Sequence, residues 1–349
     1  MKVFLPVSVL VVFAVALPQQ LAAQFWKKKT IPTSANFTIQ QLAPRVWVAI
    51  NNDNYGRAIC NAGIVDLGNR TLVFDPFMNP EAAAELKEIA KKLTGKNVSI
   101  VVNSHHHTDH IRGNQAFVPN VTIISTSTTR GQIELNEPGE QEWEKKHAPT
   151  LLQALKKRMI NATARERGEL PYWIGYYEGL VETSNDLYIA LADQTFDDSL
   201  WIEGSKLSVK LVECKNAHTV SDAVLLIPSL GIAFMGDIVC NERHPWLSDG
   251  SVEGWQQALK LFYEDTLYHT YLPGHGKVCE KPALKILYEY LGDVQKLCDA
   301  AQTDSAETAL MSKPIPYPYS RWLCSRFYQP NLQYLIMQAR TKSQGRLRD

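Results

Sequence analysis

Five side chains able to bind a metal fall within one short run, His105-His106-His107-Thr108-Asp109-His110. The run follows Val98 to Val102, a mostly β-branched stretch suited to a buried strand. Residues two apart at a strand end project to one side, so His105 and His107 share a direction. Asp109 and His110 come after the chain has begun to turn and can address a second position a short distance away. Imidazole with carboxylate suits zinc, and iron or manganese less selectively. A metal so held can activate water and polarise a carbonyl or phosphoryl oxygen. The competing reading is a solvated histidine-rich loop. Chance, however, would place His-x-His-x-Asp-His in a chain this long only on the order of once in several thousand.

A two-metal site needs more ligands, and three candidates share one context. His218 follows the strand ending near Cys214, Asp237 closes the next hairpin in Met235-Gly236-Asp237, and His275 follows Thr270-Tyr271 in Pro273-Gly274-His275-Gly276. Each sits where a strand gives way to a loop. Singly, none would stand out from a packed or surface residue.

The elements that must position them alternate along the chain. Phe37 to Gln41, Arg45 to Ile50, Ala62 to Leu67 and Thr71 to Asp75 read as strands, the last two as a hairpin around Gly68-Asn69. Asn79-Pro80 opens a helix with Ala83, Leu86, Ile89, Ala90 and Leu93 at helical spacing, and Gly95 ends it. Residues 136–195 read as helices broken near Pro149, Gly168 and Pro171. Strands resume at Leu200 to Ile202, Leu207 to Val212, Ala223 to Ile227 and Gly231 to Met235. Val252 to Phe262, Lys281 to Leu297 and Arg321 to Ala339 are expected helices. Two packed sheets with helices outside follow from this order, an α/β (α+β) class.

With its ligands in this order, the sequence resembles the metallo-β-lactamase superfamily over roughly Phe37 to Leu297. The resemblance implies an αββα four-layer sandwich with a helical insertion, and a metal groove at one edge of the sheets. It implies two zinc ions, with iron or manganese as alternatives. His105, His107 and His218 would hold the first, Asp109, His110 and His275 the second, and Asp237 would bridge both. Asp75, in Leu72-Val73-Phe74-Asp75, resembles the family's first carboxylate; it either fixes a loop or histidine tautomer behind the ligands, or caps a turn. Asp109 is the expected catalytic residue, orienting the attacking oxygen and passing a proton to the leaving group.

The bond is less determined than the centre. Lactam-hydrolysing branches of the family carry cysteine or a non-ligand where this chain has Asp237, and Cys240 is wrongly spaced to replace it. Ester, thioester, lactone or lactam-type bonds of a small molecule are therefore all expected substrates, with an iron-dependent oxidoreductase or a β-lactamase proper as alternatives. Asn52 to Cys60, carrying Tyr55, resembles the flexible hairpin over the groove. Arg243, His244 and Trp246 follow Asp237 and are candidates to bind an anionic group. Trp143, Tyr172, Trp173, Tyr176 and Tyr177 of the helical cap either line an apolar pocket or pack the cap's own helices.

Composition fits these expectations without sharpening them. Thirty-six basic against 36 acidic residues give no electrostatic case for nucleic acid, which leaves small molecules as partners; oligomeric state is open. Residues 1–23 read as a secretion signal: Lys2, an apolar run to Leu17, a Pro18 break, then Leu21-Ala22-Ala23. That run falls short of the ~20 residues a spanning helix needs. Export to the periplasm or exterior is expected, with no stable membrane insertion after cleavage; an uncleaved anchor is the alternative, since Lys27-Lys28-Lys29 follows closely. The mature domain would span 24–349, with a cap at about 136–195 and a helical extension at about 300–349. Six scattered cysteines are too sparse to be a disulfide scaffold.

Overall fold

Apolar runs too short for helices become strands in the computed structural model, which describes residues 32–345. Four of them, β1 (Phe37–Ala43), β2 (Val46–Asn51), β3 (Ala62–Asp66) and β4 (Thr71–Phe74), form an antiparallel meander. Gly68, in the β3–β4 turn, has φ 98°, a conformation costly to residues with a Cβ. Helix α1 (Pro80–Thr94) crosses over to β5 (Val98–Val102), which lies parallel to β4. Its ends are those the sequence implies: the Asn79 side chain accepts from Glu81 and Ala82 N–H groups, and Gly95 is left-handed. One short turn, α2 (Thr108–Ile111), leads towards β6 (Thr122–Thr126). Two long helices follow, α3 (Ser127–Ile160) and α4 (Ala164–Thr183), before β7 (Gln194–Phe196) completes a seven-stranded sheet whose later strands run parallel.

The second sheet has the order β12-β11-β10-β9-β8. It contains β8 (Ser199–Ile202), β9 (Val209–Lys215), β10 (Ser221–Ile227), β11 (Ile232–Phe234) and β12 (Thr270–Leu272), with α5 (Val252–Glu264) between the last two. The chain ends in α6 (Lys281–Ala300), α7 (Asp304–Met311) and α8 (Tyr328–Gly345).

Between the sheets, Val48, Leu72, Phe74 and Val102 meet Leu211, Leu225, Phe234 and Leu272. The outer face of the first sheet packs Ile64 and Val73 against Leu86 and Ala90 of α1. The outer face of the second packs Val224 and Ala233 with Trp255 and Leu259 of α5 and Leu287 and Leu291 of α6. Side chains alternating across each strand thus feed two cores, and the result is the four-layer αββα sandwich.

Helix boundaries differ from the sequence reading. Neither Pro149, Gly168 nor Pro171 breaks a helix; α3 runs through Pro138 and Pro149, and α4 through Pro171. An interior proline costs roughly 3 kcal/mol. Packing opposes that cost, because Leu152, Leu155 and Met159 of α3 bury against Leu170 and Ile174 of α4. The true break is set by a capping box, in which Thr163 accepts from Glu166 N–H and Glu166 reaches back to Thr163 N–H. The last helix starts at Tyr328 rather than Arg321. Two 3-10 turns, Tyr319–Arg321 and Ser325–Phe327, take the intervening residues, separated by a left-handed Cys324. The expected secretion signal lies outside the described residues. Among the described residues no helix is long and apolar enough to cross a membrane. All six cysteines are free thiols.

Candidate metal centre

The seven expected ligands converge at one end of the sandwich. The loop after β5 brings His105, His107, Asp109 and His110, and the turn after β9 brings His218. β11 and β12 pair in parallel, so their C-terminal ends deliver Asp237 and His275 side by side. That approach depends on Gly274, where a Cβ would lie 1.9 Å from Asp237 Oδ1.

Two groups of side chains meet through one carboxylate. His218 Nε2 lies 3.1 Å from His107 Nδ1, and the His105 ring centroid is 4.6 Å from that of His107. On the other side, Asp109 Oδ2 lies 3.5 Å from His110 Nε2 and 3.2 Å from His275 Nε2. Asp237 reaches both groups, standing 3.3 Å from His110 Nε2, 3.3 Å from His275 Nε2 and 3.6 Å from His218 Nε2. His106 turns away, into a separate cavity with Glu140 and Trp143.

Most of these imidazoles are oriented from behind by their other ring nitrogen. Asp75 is fully buried; one oxygen accepts from Ser104 N–H at 2.7 Å and the other meets His110 Nδ1 at 2.9 Å. Asp75 thus sits behind His110 and ties it to the Ser104 backbone. Ser104 Oγ lies 2.8 Å from His105 Nδ1, the Ile59 carbonyl 3.2 Å from His275 Nδ1, and Asp249 Oδ2 3.0 Å from His107 Nε2. Asp249 was not legible in the sequence, being a lone acid in a loop with no periodicity. Asn61 donates to the carbonyls of Pro273 and Gly276 and so clamps the His275 loop.

The inward-facing atoms are short of partners. Buried His105 Nε2 makes no hydrogen bond, and His110 Nε2 and Asp237 Oδ1 face each other at 3.3 Å without hydrogen-bond geometry. Leaving such atoms unpaired costs about 1–3 kcal/mol each. A cation bound among them would remove that cost, so the donor set of imidazole nitrogens and carboxylate oxygens fits divalent metal. Three overlapping triads have their ligand atoms mutually within 4.8 Å: His105-His107-His218, His105-His110-Asp237 and Asp109-His110-His275.

Charge differs from one side chain to the next: burial opposes charge on His107, yet Asp249 holds it above its ordinary value. Burial keeps His105 neutral and pushes His218 down to about 3, leaving unprotonated imidazoles. Burial also opposes charge on His275, but Asp237 and Asp109 hold it up at about 9. Asp109 is likewise opposed by burial, yet His110 and His275 hold it down at about 2.

A cavity of about 320 Å³ opens over this centre. Asp109, Asp237 and His275 lie on its floor, and Tyr172, Trp173, Tyr176 and Tyr177 of α4 line its wall. These four also pack the cap, so both expected roles hold for them, whereas Trp143 is 53% exposed and outside the cavity. Tyr55 is exposed and not part of the lining. Arg243 lines the cavity but its Nη2 is 2.6 Å from Asp53 Oδ2, so its charge is already matched. His244 is buried with its ring nitrogens on Tyr290 Oη and the Tyr319 carbonyl, which leaves neither for a substrate. Trp246 spends its N–H on Asp249 and offers the cavity its ring.

The family model for the metallo-β-lactamase superfamily matches residues 55–149. A search of curated sequences finds no match. Among solved structures, a metallo-β-lactamase from Pontibacter korlensis aligns at 15% identity over 74% of this chain and 99% of its own, TM-score 0.53. The metallo-β-lactamase FIM-1 from Pseudomonas aeruginosa, in its mono-zinc form, aligns at 14% identity over 75% and 97%, TM-score 0.54. The stereoselective inverting sec-alkylsulfatase Pisa1 from Pseudomonas sp. aligns at 13% over 86% of this chain but 50% of its own, TM-score 0.60. At these identities the likeness is one of fold.

Proposed function

We propose that this member of the metallo-β-lactamase superfamily is a dinuclear zinc hydrolase acting on an ester, thioester, lactone or lactam-type bond of a small molecule. The observation that carries the reading is the convergence of seven ligand side chains around buried polar atoms lacking partners. His105, His107 and His218 would hold one cation, Asp109, His110 and His275 the other, with Asp237 between them. One structural neighbour is a mono-zinc form, and zinc suits this donor set. When bound, the cations supply Lewis acidity, polarising the scissile group and acidifying water.

The protein's own residues do the rest. Asp109 lies on the cavity floor with its carboxylate held ionised by His110 and His275, so it can accept a hydrogen bond from the attacking water. The same carboxylate, carrying a proton, can donate it to the leaving group. Asp249, Asp75 and Ser104 fix His107, His110 and His105 from behind, and the aromatic wall excludes bulk water from the reacting group. Asp237 in place of cysteine favours oxygen- and sulfur-ester bonds over lactams. Cys240 hydrogen-bonds at 3.8 Å to the Asp237 carbonyl and joins no ligand group. One fold serves many reactions, and an alkylsulfatase shares it, so sulfate esters belong in the test.

Metal-free protein titrated with zinc should bind two equivalents. The loaded enzyme should then turn over one class in a panel of chromogenic cephalosporin, acyl lactone, thioester, aryl sulfate and phosphodiester, with loss on chelation. One equivalent at saturation would overturn the dinuclear assignment. Metal-loaded protein inert on the whole panel would overturn the hydrolase, and iron binding with oxygen uptake would replace it by an oxidoreductase.

Asp75 has its own expected outcome. Asp75→Ala removes the acceptor behind His110 and frees the Ser104 N–H, so zinc affinity should fall about 10–100-fold. Competition with a chromophoric chelator measures it, and unchanged affinity would reduce Asp75 to a turn-capping residue.

A further inference from the structure

Part of the cavity wall comes from the turn Ser325–Phe327, far in sequence from every ligand. Its backbone is tied at several points. Ser325 N–H and Oγ both donate to Glu169 on α4, at 3.3 and 3.0 Å. Leu323 N–H donates to the Glu242 carbonyl, and His244 N–H to that of Leu323. Phe327 packs edge-on to Trp173 and Trp246, with ring centroids 5.2 and 5.4 Å apart. The left-handed Cys324, φ 59°, is a strained conformation that this anchoring maintains.

Arg326 is held on that wall. Its guanidinium carbon stands 4.4 Å from the Trp173 ring centroid and 5.9 Å from that of Tyr177. Stacking of this kind occupies the guanidinium face and leaves its N–H edge available. Arg243 is matched by Asp53, whereas Arg326 has no ion-pair partner among the described residues. The cavity lined by Asp109, Asp237 and His275 thus also carries an exposed, unmatched, planar cation beside an aromatic surface.

We propose that Arg326 is the subsite for an oxyanion on the substrate, whose apolar body lies along Trp173 and Phe327. This selects, from the bonds considered above, substrates bearing a carboxylate or comparable oxyanion away from the scissile group. The assignment of substrate class rests on the hydrolase reading, but the subsite is tested without turnover.

Two matched probes, 4-phenylbutyrate and 4-phenylbutan-1-ol, are titrated into zinc-loaded protein while tryptophan fluorescence is followed. The carboxylate should bind about tenfold tighter than the alcohol, and salt should erode the difference. Arg326→Ala should abolish the preference while changing alcohol affinity less than about twofold; Arg326→Lys should restore part of it, lacking the planar stack. An intact preference in Arg326→Ala would place the carboxylate on the metal floor and overturn the subsite. Equal loss of both probes would reduce Arg326 to a wall residue, and failure of both to bind wild type would also overturn it. A preference that collapses in Arg326→Ala, in a protein inert on the hydrolysis panel, would uphold the subsite while removing the hydrolase.

Discussion

Asp237→Ala is expected to lower kcat/KM by on the order of 10³-fold or more and to reduce bound zinc below two equivalents. Asp237 approaches both ligand groups, at 3.3 Å from His110 and His275 and 3.6 Å from His218. Without it, the carboxylate oxygens left in the cluster belong to Asp109, on one side only. A lone metal could remain with His105, His107 and His218, a triad that does not include Asp237. Loss of the second equivalent should therefore exceed loss of the first. Asp237→Asn, with one oxygen donor and no charge, should fall between. Circular dichroism checks that the variants fold, and metal analysis with kinetics checks the rest. A folded Asp237→Ala protein with two zinc ions and undiminished turnover would remove Asp237 from the centre.

The candidate ligands were legible because their signal is local. His105 and His107 stand out because they crowd one short motif in the loop after β5, and His218, Asp237 and His275 because each follows a strand end. The parallel pairing of β11 and β12, which brings the last two together, is a long-range fact that the sequence only suggests. Hairpins such as β10–β11 were legible for the same reason as the ligands, since their turn residues adjoin apolar runs. Helix limits were harder. Proline signals at 149 and 171 were outweighed by burial between α3 and α4, while the decisive Thr163–Glu166 capping box lies in an unremarkable polar stretch. What lies behind and above the ligands was least legible. Asp249 and Arg326 acquire their positions only through folding of loops and turns without periodicity. Arg243 looked available because its partner Asp53 is remote in sequence.

Arg112→Ala is expected to destabilise the protein by about 3–5 kcal/mol, the usual cost of breaking a buried ion pair from one side. Arg112 follows α2 directly and is 4% exposed. Its Nε lies 2.5 Å from Glu137 and its Nη1 2.6 Å from Glu144, both on α3, and Glu144 also meets Tyr176 Oη at 3.3 Å. It thus joins the ligand loop to the cap, and its removal strands two acids in a dry site. The penalty should depend on pH. Burial pushes the Glu144 carboxyl above its ordinary value, opposed by Arg112, so without Arg112 it should rise further. A carboxyl with a raised folded pKa binds its proton more tightly folded than unfolded. The penalty is therefore full above that pKa and shrinks as pH falls towards the unfolded value of about 4.3. Denaturant unfolding of both proteins at pH 8 and pH 5 should show the gap narrowing, and taking differences at each pH cancels the histidine titration they share. Adding Glu137→Gln and Glu144→Gln to Arg112→Met should recover much of the loss, since the stranded charges are gone. A gap under about 1 kcal/mol, or one indifferent to pH, would mean that water reaches these acids and that the cap is held by its apolar contacts alone.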